Sequence, residues 1–281
     1  MLSTLLFAAG CSGGGRGAAP ADSAHVDAMA REHAGETPTA NASAQEPRQE
    51  VRGEEVVYGL VDGQRVRGYM AYPAASGADA ALPAVILVHE WWGLNDNIRM
   101  MARRLAGEGY RTLAVDLYQG KVATDAQAAQ TYMREVMGDR DRGVMNLASA
   151  ARFLKQEKHA RRIGTVGWCF GGGWSLQAGL NLPEYVDAVV MYYGQPVTDR
   201  ARLARLDAPL AGFFGLQDRG IPADSVRKME QELKALGKTV DIRFYDANHA
   251  FANPSGQSYN AQAAADAWTR TVDFFARTLK S

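Results

Sequence analysis

The chain has 281 residues, and 47% of its side chains are hydrophobic, enough to fill the core of one large domain or two small ones. Its 31 basic and 31 acidic side chains give a formal net charge of zero, which excludes the basic excess typical of proteins that bind nucleic acid or anionic membranes. The two cysteines, Cys11 and Cys169, are too few for a disulfide-stapled fold and lack the paired spacing of a zinc or redox site.

The first eleven residues predict an export signal. Residues 1–10 form a short apolar run, well below the roughly 20 apolar residues that span a bilayer. This run ends in small residues before Cys11, and the segment resembles a bacterial lipoprotein lipobox, in which the cysteine carries the lipid. We therefore expect an exported protein or lipoprotein of the cell envelope, anchored to the membrane only through Cys11. The alternative is a cytoplasmic protein with an uncleaved apolar N-terminus.

Residues 12–50 predict a disordered linker. They are mostly Gly, Ala, Ser, Pro, Thr and Glu, and the only large aliphatic side chains among them are Val26 and Met29. Such a composition buries too little apolar surface to offset the entropy of ordering the chain. His25 and His33 lie within this segment, and no metal role is expected for them.

From residue 54 to the C-terminus, strands and helices alternate, which predicts one α/β domain with a mostly parallel eight-stranded sheet and helices on both faces. The predicted strands are 54–61, 65–72, 84–89, 111–116, 163–168, 186–193, 209–215 and 240–245. The predicted helices are 97–108, 125–137, 140–157, 172–179, 223–236 and 258–279. Asp62-Gly63 between the first two strands is a hairpin signal.

Cys169 lies where a buried strand turns directly into a helix, in the sequence Gly-Trp-Cys-Phe-Gly. This is the pattern of a nucleophile elbow with cysteine as the nucleophile, because the glycines two positions away allow the sharp turn. The turn places the sulfur at a helix N-terminus, where the helix dipole favours the thiolate. The alternative is an inert buried cysteine beside a close-packed glycine turn.

Two further residues follow in the order that α/β hydrolases use, which is nucleophile, acid and histidine. Asp218 comes directly after one apolar strand, and His249 comes after the last strand. Taken singly, each could be a loop-capping or surface residue, but their position at successive strand ends predicts a Cys169–His249–Asp218 triad. His159 lies in a basic turn and fits this arrangement less well, while His89 would point from a strand end beside the site.

The segments VHEWWGLN, GWCFGG, GLQDRGIP and YDANHAF resemble the dienelactone hydrolase family of α/β hydrolases, and the resemblance runs from about residue 54 to the C-terminus. It implies hydrolysis of a lactone or ester by a triad at Cys169, Asp218 and His249, with no metal or organic cofactor. It also implies that Glu90 controls the ionisation of the thiol, for which the alternative is a loop salt bridge. The expected oxyanion hole consists of the backbone N–H groups of Trp91 and Phe170.

The sequence departs from the family at two positions where arginines hold the carboxylate of dienelactone. Asn253 stands four residues after the triad histidine, and Ala128 stands four residues before Tyr132. Losing both clamps predicts weak binding of a small carboxylated lactone. Aromatic residues expected near the site favour an apolar acyl or aromatic group, with ordinary core packing as the alternative, and they are Trp91, Trp92, Trp168, Phe170, Trp174 and Phe251.

The sequence therefore predicts an enzyme that forms a thioester on Cys169 and releases it with water, acting on a small-molecule ester or lactone. Two alternatives remain open. One is a thioesterase, acyltransferase or small peptidase on the same fold, and the other is a tethered binding protein without catalysis. The first alternative differs in substrate, and the second predicts an unreactive Cys169.

Overall fold

The computed structural model describes residues 20–33, 36 and 46–281. The predicted signal segment, with Cys11, lies outside these residues. Among the helices of the described residues, none has the length and apolar character needed to cross a membrane.

All eight predicted strands are present, with ends shifted by up to three residues. They are β1 (Val51–Val61), β2 (Gln64–Pro73), β3 (Ala84–Val88), β4 (Arg111–Val115), β5 (Ile163–Trp168), β6 (Ala188–Tyr192), β7 (Leu210–Gly215) and β8 (Val240–Tyr245). The sheet order is β1-β2-β4-β3-β5-β6-β7-β8. Strand β2 pairs antiparallel with β1 and β4, and all other neighbours are parallel.

The six predicted helices are also present. They correspond to α2 (Asp96–Gly107), α3 (Ala126–Gly138), α4 (Arg140–Arg152, continued by a π-helical turn over Phe153–Glu157), α5 (Phe170–Asn181), α7 (Ala223–Ala235) and α8 (Ala261–Leu279). The sequence did not predict α1 (Pro20–Glu32), the short α6 (Arg200–Leu203) or a 3₁₀ turn at Ala74–Ser76.

The core lies on both faces of the sheet, because the central strands are buried along their whole length. Neighbouring residues of β5 point to opposite faces. A Cβ on Gly164 would meet Phe275 of α8, whereas the hydroxyl of Thr165 donates to the carbonyl oxygen of Ser175 in α5. The prediction of a mostly parallel sheet covered by helices is confirmed.

The prediction of a disordered linker over 12–50 is wrong for residues 20–33. Helix α1 packs against the α/β domain, and the side chains of Val26 and Met29 are fully buried. Asp27 accepts hydrogen bonds from Gln130 at 3.2 Å and from Arg134 at 2.6 Å, both on α3. The segment gains from the domain the apolar contacts that its own composition cannot supply.

Candidate active site

The sharp turn predicted between β5 and α5 is present. Strand β5 ends at Trp168, α5 begins at Phe170, and Cys169 between them has φ 55° and ψ −119°, a left-handed conformation that stores strain. A Cβ on Gly167 would lie 2.1 Å from the carbonyl oxygen of Gly171, and a Cβ on Gly171 would lie 2.2 Å from that of Val88. Both positions therefore require glycine.

Asp218 and His249 meet at the carboxyl ends of β7 and β8, and both side chains are buried. His249 Nδ1 lies 2.6 Å from Asp218 Oδ2, while Asp218 Oδ1 accepts hydrogen bonds from the backbone N–H groups of Gly220 and Ile221. The carboxylate thus fixes the ring and directs Nε2 away from it. Within the described part of the chain, His249 Nε2 has no hydrogen-bond partner.

The thiol of Cys169 is 1% exposed and lies close to two imidazoles. Its sulfur and one ring nitrogen each of His33 and His249 lie within 4.8 Å of one another. Burial alone would raise the pKa of the thiol, but the nearby imidazoles of His249 and His33 lower this pKa to about 6. Burial alone would lower the pKa of His249, but Cys169 and Asp218 raise it well above the usual value. The pair is a thiolate and an imidazolium at neutral pH.

Residues of the N-terminal segment contact the Cys169 thiol directly. Met29 Sδ lies 3.5 Å and His33 Nε2 3.8 Å from Cys169 Sγ. His33 Nδ1 lies 2.7 Å from Glu36 Oε2, and the imidazole stacks on Trp91 with 4.6 Å between ring centroids. These residues cover the sulfur on the side that is not buried by the domain.

Sequence reasoning missed Met29, His33 and Glu36 as site residues, because composition alone decided the prediction for residues 12–50. A weaker signal was present. Val26, Met29 and His33 are spaced i, i+3, i+7, which places them on one face of a helix. Without knowledge of the surface that this face covers, two aliphatic residues do not indicate a packed helix.

Glu90 lies in the loop after β3 and is buried. Burial and the negative charge of Cys169 raise the pKa of its carboxyl to about 8. Control of the thiol's ionisation by Glu90 stays a prediction. Asn253 Nδ2 donates a hydrogen bond to Glu90 Oε2 at 2.7 Å, and Asn253 Oδ1 accepts one from the N–H of Ser255. The residue at the first expected arginine position therefore binds Glu90 within the protein.

The other predicted residues take mainly structural positions. His89 Nδ1 bonds to the carbonyl oxygen of Glu90, and His89 Nε2 accepts from the N–H of Leu117, so both ring nitrogens are satisfied within the fold. Ala128 is half-buried in α3, and His159 is exposed. The six aromatic side chains that were expected near the site are all buried.

The pocket next to Phe170 has a volume of about 210 Å³ and is lined by His25, Phe170, Trp174, Gln177 and Gln195, among others. Cys169 is not among its lining residues. His25 comes from α1, so the N-terminal segment shapes this pocket as well as covering the sulfur.

The chain matches the dienelactone hydrolase family over residues 66–279. The chain belongs to the dienelactone hydrolase family. It is 31% identical over 222 residues to protein usf of Aquifex pyrophilus, covering 76% of this chain and 94% of that protein. It is 35% identical to a Methylorubrum extorquens protein named as a candidate carboxymethylenebutenolidase, covering 79% of each chain. The structure of a candidate dienelactone hydrolase from Klebsiella pneumoniae superposes with a TM-score of 0.73 at 29% identity, covering 82% of this chain and 100% of that one.

Membership in the family makes the chain a hydrolase that acts on ester or lactone bonds. The family match includes Glu90, Cys169, Asp218 and His249 and begins after α1 and the whole N-terminal segment.

Proposed function

We propose that the protein hydrolyses neutral esters or lactones through a thioester on Cys169, with His249 and Asp218 completing a triad. The observation that carries this proposal is the thiol of Cys169 on a strained elbow beside a buried His249–Asp218 pair with a 2.6 Å hydrogen bond. Nucleophile, base and orienting acid are the three parts that this chemistry needs.

In the first half of the reaction, the Cys169 thiolate attacks the carbonyl carbon, and the carbonyl oxygen becomes an oxyanion. Phe170 is the first residue of α5, so its N–H has no partner within the helix and is free to donate to that oxyanion, with the N–H of Trp91 as the second donor. His249 then gives its Nε2 proton to the leaving alcohol as the C–O bond breaks, which leaves a thioester.

In the second half, neutral His249 takes a proton from water, and the hydroxide attacks the thioester carbonyl carbon. The C–S bond breaks, the acid leaves, and the thiolate–imidazolium pair returns. Asp218 keeps the ring in one tautomer and stabilises the imidazolium without taking its proton.

The charges around the site favour a neutral substrate. Asn253 binds Glu90, and Ala128 carries no charge, so neither position provides the cation that would hold a substrate carboxylate.

The test is a panel of aryl esters, lactones and thioesters assayed with the full chain and with Cys169→Ala, His249→Ala and Asp218→Asn. We expect ester and lactone turnover, and a loss of kcat/KM of about 1,000-fold or more for each variant. His159→Asn is the matched control and should keep full activity, because His159 is exposed and outside the site.

Full esterase activity in Cys169→Ala would contradict the proposed nucleophile. Turnover of thioesters alone, or of a peptide substrate, would favour the alternative enzymes on this fold. A chain that turns over no member of the panel would favour the binding-protein alternative.

We also propose that the protein is a lipoprotein of the cell envelope, anchored through Cys11. The support is the apolar run that ends in Ala8-Ala9-Gly10-Cys11. Mass spectrometry of the native N-terminus should find diacylglycerol on Cys11, whereas a free Met1 would contradict the proposal.

A further inference from the structure

We propose that Met29, His33, Cys169 and His249 form a binding site for a copper(I) ion. This inference goes beyond the hydrolase activity and reverses the expectation that His33 has no metal role. The N-terminal segment supplies a thioether and an imidazole, and the hydrolase domain supplies a thiolate and a second imidazole.

The distances suit a single small cation. An ion with tetrahedral bonds of about 2.0–2.3 Å holds its ligand atoms about 3.3–3.8 Å apart. Cys169 Sγ lies 3.5 Å from Met29 Sδ and 3.8 Å from His33 Nε2. The sulfur of Cys169 and one ring nitrogen each of His33 and His249 lie within 4.8 Å of one another, so the widest pair needs to contract by only about 1 Å.

Both imidazoles are held in the manner of metal ligands, with one ring nitrogen on a carboxylate. His249 Nδ1 lies 2.6 Å from Asp218, and His33 Nδ1 lies 2.7 Å from Glu36. The triad explains the first pair but gives no reason for the second. In the described part of the chain, His249 Nε2 is also buried without a hydrogen-bond partner.

The surroundings hold the ligands in place before any ion arrives. Met29 is fully buried. Its Cε lies only 2.3 Å from the position that a Cβ on Gly220 would take, so Met29 packs tightly against the loop that carries Asp218. His33 is stacked on Trp91, and the Asp27–Arg134 ion pair ties α1 to α3. A dry, preorganised shell of this kind raises the affinity for metal.

The ligand types select copper(I) over other common cations. Two imidazoles, a thiolate and a thioether are soft or borderline donors, and the thioether in particular favours copper(I). Calcium and magnesium prefer oxygen ligands, and the carboxylates here bond to the imidazoles. Cu⁺ binds the Cys169 thiolate and displaces the protons from the ligating nitrogens of His33 and His249, which pass to solvent, without any change of oxidation state. It engages the sulfur and the imidazole that the hydrolase needs, so the ion competes with the ester.

The test is an anaerobic titration of the full chain, carrying Cys11→Ser to remove the other cysteine, with Cu⁺ against a coloured Cu⁺ chelator. We expect one Cu⁺ per chain and near-ultraviolet thiolate-to-copper absorption, which Cys169→Ala should abolish. His33→Asn should weaken Cu⁺ binding at least about 100-fold, and Glu36→Gln about 10- to 100-fold. Met29→Leu should weaken Cu⁺ binding about tenfold and leave Zn²⁺ binding unchanged.

Matched controls keep the test specific. His159→Asn repeats the histidine substitution at an exposed position, and Asn tolerates the left-handed backbone conformation found there. Met145→Leu repeats the methionine substitution on the surface of α4. Both should bind Cu⁺ like the parent chain, and circular dichroism checks that every variant is folded.

Unchanged Cu⁺ affinity in His33→Asn, or tighter binding of Zn²⁺ than of Cu⁺ by the parent chain, would overturn the proposal. Because the titration contains no substrate, its result is independent of whether the protein hydrolyses esters.

Discussion

At the residue scale, the state of the active site depends on the environment of one sulfur. Burial would keep Cys169 as a neutral thiol, and the two imidazoles outweigh burial, so that its pKa falls to about 6. His33 therefore contributes to the nucleophile although it lies outside the hydrolase domain. Its own pKa is raised to about 9, because the hydrogen bonds that the protonated ring donates to Cys169 and Glu36 outweigh the effect of burial.

The pH dependence of Cys169 alkylation tests this environment. In protein treated with a metal chelator, the rate should be constant above pH 7 and fall as the pH drops through about 6, because only the thiolate reacts. His33→Asn should move the midpoint upward, since one stabilising imidazole is lost. The rate is followed with iodoacetamide and mass spectrometry, and a midpoint near 8.5, the usual value for cysteine, would contradict the assignment.

At the element scale, the junction of β5 and α5 was predictable from sequence, because its glycines serve a local geometry. Helix α1 was not, because its stability comes from contacts with a surface that the sequence does not reveal. Val26 and Met29 are too few to indicate a packed helix, yet both are fully buried. Strands such as β3 and β5 were predicted from continuous apolar runs, which α1 lacks.

The elbow glycines differ in what they tolerate. Gly171→Ala should destabilise the protein by about 3 kcal/mol or more, because the new Cβ would lie 2.2 Å from a backbone carbonyl oxygen that cannot move away. Gly173→Ala, two residues later in the same helix, meets nothing closer than 3.4 Å and should stabilise by about 0.5–1 kcal/mol. Urea unfolding measures both, and equal effects would contradict the steric explanation.

Helix α1 should control access to the thiol. Val26→Asp places a charge in the fully buried contact of α1, at a cost of a few kcal/mol that favours detachment of the helix. We expect alkylation of Cys169, measured at pH 8.5, to accelerate about tenfold or more. Ser23→Asp, on the exposed side of the same helix, is the control and should react at the parent rate. Equal rates in all three proteins would show that α1 does not limit access.

At the scale of the whole molecule, charge balance and fold class were predictable, because both depend on sums and patterns along the chain. The family resemblance showed that Ala128 and Asn253 stand where arginines are expected. It did not predict the hydrogen bond between Asn253 and Glu90, because this bond joins residues 163 positions apart. Contacts of this range depend on how β3 and the loop after β8 meet in the completed sheet.

The neutral chain predicts that substrates reach the site without electrostatic steering. For a neutral aryl ester, kcat/KM should change by less than about twofold between 20 and 500 mM NaCl, since a chain with 31 charges of each sign has no net field to screen. Steady-state assays across this range test the prediction. A steep fall of kcat/KM with salt would contradict the prediction.

The covering of the thiol by α1 has a practical consequence for comparisons within the family. The region shared with other members begins after the segment that touches the nucleophile. A protein trimmed to that region would keep Cys169, Asp218 and His249 but lose two of the side chains that contact the sulfur. The Cys169 thiol of the trimmed protein would then react without the cover of α1. The difference in thiol reactivity between the trimmed and full-length proteins would measure the effect of the N-terminal segment.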